Sequence, residues 1–127
     1  MLFIKKYRIE ILVFTLLILS FFLLRIYNIL SLPIFTDEAI YVRWAQIAKQ
    51  DANWRFISLT DGKQPMFVWL TMVSMRFIEE PLLAGRLVSV TAGFFTLIGL
   101  FFLGWELFRN KWIGILSSFL YAIYPMA

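Results

Sequence analysis

Five charged residues stand where chemistry can use them: Arg25, Asp37, Glu38, Lys63 and Arg86. Asp37 and Glu38 are adjacent, just before a helical pattern. Carboxylates at a helix N-terminus are favoured by the macrodipole, by roughly 0.3–1 kcal/mol. A carboxylate there can also serve as general base toward an acceptor hydroxyl, or bind a cation. Neighbours on a helix point about 100° apart, so the two are not expected to share one partner. Lys63 sits just before another helix start, where a cation is disfavoured. Lysine beside unpaired helix N–H groups makes an anion site. It also reads as a solvated turn lysine, with Asp61 close enough in sequence to neutralise it. Arg25 and Arg86 lie at the ends of apolar runs. They either snorkel to an interface or flank one cavity and hold a phosphate bidentately.

The elements that must position these residues belong to a membrane chain. Of 127 residues, 61% are hydrophobic and 16% charged, and mean hydropathy is +0.80. Soluble domains run near 45–50% apolar and about 25% charged. With no Cys and no His, the chain has no disulfide, thiolate metal site, thiol nucleophile or imidazole base. The net charge of +4 is scattered, which reads as membrane topology rather than a nucleic-acid footprint.

The pattern predicts an all-α, polytopic chain. Spans are expected at about 9–29, 86–106 and 112–127, the last one cut short. A cleaved signal peptide competes for the first, but no small-residue cleavage pattern follows it. Lys5, Lys6, Arg8, Arg109 and Lys111 then share one side. That side is cytoplasmic by the positive-inside pattern, and the loop at about 30–85 lies outside. This describes a multi-pass plasma-membrane protein. Gly85, Ser89 and Gly93 recur every four residues and would let helix backbones approach closely.

Within the outside loop, two helices are expected on the membrane surface, at about 37–50 and 65–78. In the first, Thr36 is a candidate cap. Ile40, Trp44, Ile47 and Ala48 form its apolar stripe, and Arg43, Gln46, Lys49 and Gln50 its polar face. An extended stretch from Trp54 to Leu59 and a turn at Asp61-Gly62 follow. The second begins at Pro65. Its run is about 21 Å long as a helix, too short for a comfortable span.

The ordered motifs resemble membrane glycosyltransferases of the GT-C class. Arg25-Ile26-Tyr27-Asn28, Leu32-Pro33 and Asp37-Glu38-Ala39-Ile40-Tyr41 look like the start of these enzymes. Lys63-Gln64-Pro65 and Phe67-Val68-Trp69-Leu70 resemble their second motif, although Gln64 stands where proline is frequent. Ala84-Gly85-Arg86-Leu87-Val88-Ser89 and Gly104-Trp105-Glu106-Leu107-Phe108 are similar to later spans. The nearest groups are dolichyl-phosphate-mannose protein mannosyltransferases and bacterial aminoarabinose transferases. The resemblance implies inverting transfer of a sugar from a polyprenyl-phosphate donor to a protein, lipid or glycan acceptor. Asp37 takes the place of the catalytic aspartate, and Glu38 completes that motif. Lys63 takes the place of the lysine on the lipid phosphate, with Arg86 as a supporting cation. No cofactor is implied, and no nucleic-acid partner. Related enzymes on this fold use a divalent cation between acidic loops. The family has many more spans, so the chain alone is expected to lack transferase activity. The rival expectation is a non-enzymatic membrane assembly or transport module with the same aromatic belts and packing glycines.

Overall fold

The computed structural model describes residues 8–27 and 29–124. Lys5, Lys6 and the end of the expected third span lie outside the described residues. The chain divides into two compact units, one of Met1–Tyr27 with Val90–Ala127 and one of Asn28–Ser89.

Among the described residues, the first unit is built on three helices. α1 is Arg8–Ile26, and α5 is Lys111–Ile123. α4, Pro81–Phe108, starts in the second unit and continues into the first. α1 and α4 are long and apolar enough to cross a membrane. Leu17, Phe21, Leu97, Ile115 and Ala122 form the core, with Phe14, Phe94, Phe101 and Tyr121 packed against it. Large apolar side chains such as Leu16, Leu23, Phe102 and Leu120 stay exposed around it. Several hydroxyls are tied to their own helix backbone. Thr15, Ser20, Thr96 and Ser117 donate to carbonyls four residues back, which leaves no orphan donor on an apolar surface. Buried Ser118 instead crosses to the Leu97 carbonyl, 3.0 Å away.

The turn between α4 and α5 explains their close crossing. Arg109 adopts φ +52°, and the Asn110 side chain caps α5 by accepting from the Trp112 N–H at 2.9 Å. A Cβ on Gly114 would lie 2.5 Å from the Phe101 carbonyl oxygen, and one on Gly104 would lie 3.0 Å from the Gly114 Cα. These two glycines are where the backbones meet.

The second unit holds α2, Thr36–Gln50, and α3, Met66–Ser74, joined by two 3-10 turns at Ala52–Trp54 and Ile57–Asp61. Ala45, Ala48, Val68, Met75 and Ala84 form its core. Three expectations are corrected here. The buried stripe of α2 centres on Ala45 and Ala48, with Tyr41, Val42 and Trp44 packed beside them. Alanine allows close approach to α3, and Ile40 and Ile47 are left outside this cluster. Thr36 is not a capping residue, because Phe35 precedes the helix in extended geometry with no side-chain cap bond. The segment from Trp54 to Leu59 is not extended. Asp51 accepts from the Asn53 N–H at 2.9 Å and Thr60 donates to the Ile57 carbonyl at 2.7 Å, and such local bonds favour turns over strand.

Helix limits also differ. α3 stops at Ser74 rather than 78, because Arg76 and Phe77 bond back three residues, to Val73 and Ser74. α4 starts at Pro81 rather than near 86. Pro81 suits a first helical position, and the Glu80 carboxylate accepts from the Leu83 N–H.

Candidate functional site

The first turn of α2 sends its two carboxylates to different cations. Asp37 Oδ1 lies 3.3 Å from Lys63 Nζ, whereas Glu38 Oε1 lies 2.7 Å from Arg86 Nε. The rotation of about 100° per residue separates them as the sequence implies. Both pairs lie wholly in the second unit.

Lys63 is delivered by a tight turn. The second 3-10 turn ends at Asp61, and Gly62 takes the left-handed conformation at φ +68°. Its lack of a Cβ makes that conformation inexpensive. The Lys63 N–H then bonds the Ser58 carbonyl at 3.0 Å. The ammonium faces Asp37 on one hand and Asp61 Oδ2 at 3.4 Å on the other. It also lies 5.2 Å from the Tyr41 ring centroid and 5.6 Å from that of Trp44, within cation–π range. Phe67 meets Tyr41 edge-on at 5.4 Å. Partial desolvation opposes charging of Lys63, but the hydrogen bonds to Asp37 and Asp61 outweigh it and raise its pKa above the ordinary lysine value.

Arg86 is held more tightly. It grips Glu38 with both arms, the second being Nη2 to Oε2 at 2.9 Å. It also donates to the carbonyls of Ile29 and Leu32. Its side chain is only 10% exposed, so the expected solvated snorkelling position is not what the structure shows. The hydrogen bond from Arg86 is the main reason the Glu38 carboxyl lies below the ordinary glutamate range, against the opposing effect of burial. Arg25 sits in the first unit, with its guanidinium 4.6 Å from the Phe21 ring centroid.

Glu38, Tyr41, Val42, Phe67, Gly85 and Ser89 line a cavity of about 350 Å³. A Cβ on Gly85 would lie 3.2 Å from Val42 Cγ2, so the glycine lets α2 approach α4 here. The small-residue pattern noted in the sequence thus has separate local contacts. Gly85 meets α2, and Gly93 faces Phe21 and Tyr121 in the first unit. The aromatic surround of Lys63 is the part that reading charged residues alone missed. Its signal was present, because Asp37, Tyr41 and Trp44 fall at helical i, i+4, i+7 spacing.

The arrangement offers two exposed carboxylates on a lysine, one bidentate carboxylate–arginine tie, and an aromatic-walled space beside them. Asp37 and Asp61 converge on an ammonium, and among the described residues no group of three metal-ligating side chains forms. Comparison of the chain with models of known families, with curated proteins and with solved structures finds no match.

Proposed function

We propose that this chain carries part of an inverting glycosyl-transfer site at the extracytoplasmic face of a membrane, taking sugar from a polyprenyl-phosphate donor. The observation that supports it most is the Asp37–Lys63 pair among aromatic rings. Transfer needs a base at the acceptor and positive charge at the departing phosphate. The acceptor hydroxyl oxygen bonds to the anomeric carbon as the bond from that carbon to the phosphate oxygen breaks. Asp37 takes the hydroxyl proton, and the bonding electrons leave with the phosphate, whose charge Lys63 balances. In this scheme the donor phosphate replaces Asp37 on Lys63, which exchanges one anion for another and frees the base. Arg86, with its fork filled, holds Glu38 and the segment at Ile29–Leu32. It would reach a phosphate only by giving up Glu38.

The membrane setting rests on α1 and α4, which keep apolar side chains on their outward faces. In this reading α5 is a third span, Arg8, Arg109 and Lys111 are cytoplasmic, and the second unit is outside with α2 and α3 at the interface. The decisive experiment measures sugar transfer from a polyprenyl-phosphate donor by the full-length protein carrying Asp37→Asn or Lys63→Ala. Loss of a general base costs on the order of 10²–10⁴-fold, and a fall of at least 10²-fold is expected for each variant. Near-normal turnover in both would remove the assignment. The second reading, a non-catalytic membrane assembly module, draws on the fully engaged Arg86. It predicts that both variants change stability alone.

A further inference from the structure

α3 carries apolar residues on both sides, and one side faces the core of its unit. Val68 and Thr71 face the core of the second unit. The opposite side presents Met66, Trp69, Leu70 and Val73 at helical spacing, and Phe77 follows. Exposure runs from 36% at Trp69 to 85% at Phe77. No charged residue occurs within α3.

The indole donor on this outer face is satisfied within the protein. The Trp69 indole N–H donates to the Arg55 carbonyl at 2.6 Å. Phe56, itself 57% exposed, meets the Trp69 ring edge-on at 5.2 Å. An indole whose single donor is satisfied internally can face an apolar medium without penalty. Arg55 and Arg76 bracket the patch, the first through its carbonyl and the second beside Phe77. Among the described residues neither makes an ion pair. The occupant follows from the chain path. The second unit starts two residues after α1 ends, and α4 leaves it without a break. Both connections run into helices long enough to cross a bilayer.

We propose that the outer face of α3, with Phe56 and Phe77, is buried in the interfacial zone of the bilayer, with Arg55 and Arg76 on anionic lipid phosphates. The inference rests on the membrane reading above and not on the transfer chemistry.

The chain has no Cys, so single-cysteine spin labels report one site each. Leu70→Cys and Phe77→Cys test the face, Gln50→Cys is a solvent-side reference, and Leu16→Cys reports on α1. The full chain is reconstituted in phosphatidylcholine vesicles with and without phosphatidylglycerol. Labels at Leu70 and Phe77 should collide with oxygen more often than with an aqueous nickel chelate. Their depth should be about 5–10 Å, as for interfacial helices, and shallower than at Leu16. Adding Arg55→Gln and Arg76→Gln should move both labels outward only when phosphatidylglycerol is present. Labels as open to the chelate as Gln50, with Leu16 still in hydrocarbon, overturn the proposal alone. Labels shielded from both reagents also overturn it, in favour of a protein partner or a second copy. A Leu16 label in water rejects the membrane reading and this proposal together.

Discussion

Arg86 joins three stretches of chain through one side chain: Glu38 on α2, the carbonyls at Ile29 and Leu32, and its own position on α4. Removing it leaves a partly buried carboxylate and carbonyls without donors. A fully buried pair broken in this way costs 3–5 kcal/mol; with Glu38 26% exposed, Arg86→Ala should cost about 2 kcal/mol. Arg86→Lys should recover little of that, because an ammonium cannot bridge both carboxylate oxygens and reach the carbonyls. Denaturant unfolding in detergent measures both. The same pair sets an acid response. Glu38 has a folded pKa below its ordinary 4.5. Its stabilising contribution is therefore present above that value and lost as pH falls through the lower folded one. Glu38→Gln should be less stable at neutral pH, yet lose less stability as the pH falls through and below the ordinary glutamate value. Equal acid slopes in the two proteins would mean that the pair carries no titrating energy.

Among the elements, the crossing of α4 and α5 makes the sharpest distinction between glycines. Gly114→Ala places its Cβ against a backbone oxygen that cannot rotate away, and overpacking of this kind costs about 1–3 kcal/mol. Gly99 lies on the same α4 helix with nothing within 4 Å of an added Cβ. Gly99→Ala should be neutral or stabilising by up to about 1 kcal/mol, through helix propensity. Thermal unfolding of the two variants in one detergent tests the crossing, and equal effects would refute it. The sequence made helix type legible here and contact partners less so. Long apolar runs announced α1 and α4. The Gly85, Ser89, Gly93 pattern was visible, whereas Gly104 and Gly114 pair across a turn and share no period. The start of α4 was hidden because Arg86 looks like a boundary, while Glu80 and Pro81 set the true one through capping. In the site, Asp37 and Glu38 diverged as helical geometry requires. That Lys63 would meet Asp37 was not legible, because 26 residues and a left-handed glycine separate the two in sequence.

For the whole molecule, charge placement and helix length bear on one question, which side of the membrane each turn occupies. Arg109 and Lys111 crowd the short α4–α5 connection, whereas the second unit carries both signs in near balance. Short loops rich in Lys and Arg stay cytoplasmic. The proposed topology therefore puts Gln50 outside and Glu106 inside. Both are polar surface positions, and the Glu106–Arg109 pair is well exposed, 70% and 80% at the side chains, so breaking it should cost at most about 1 kcal/mol. In intact cells an impermeant maleimide should label Gln50→Cys. It should reach Glu106→Cys only after the membrane is permeabilised. The absence of native cysteine removes any background from the chain itself. Labelling of both sites in intact cells would place the two turns on one face. That result is incompatible with α4 as a spanning helix, because Gln50 precedes it and Glu106 lies in its last turn. It would also remove the reason for expecting Asp37 and Lys63 to meet a lipid-linked donor at the outer surface. Protection of Glu106→Cys alone fixes α4 as a span and orients it, and the site then faces the side on which acceptor hydroxyls must arrive.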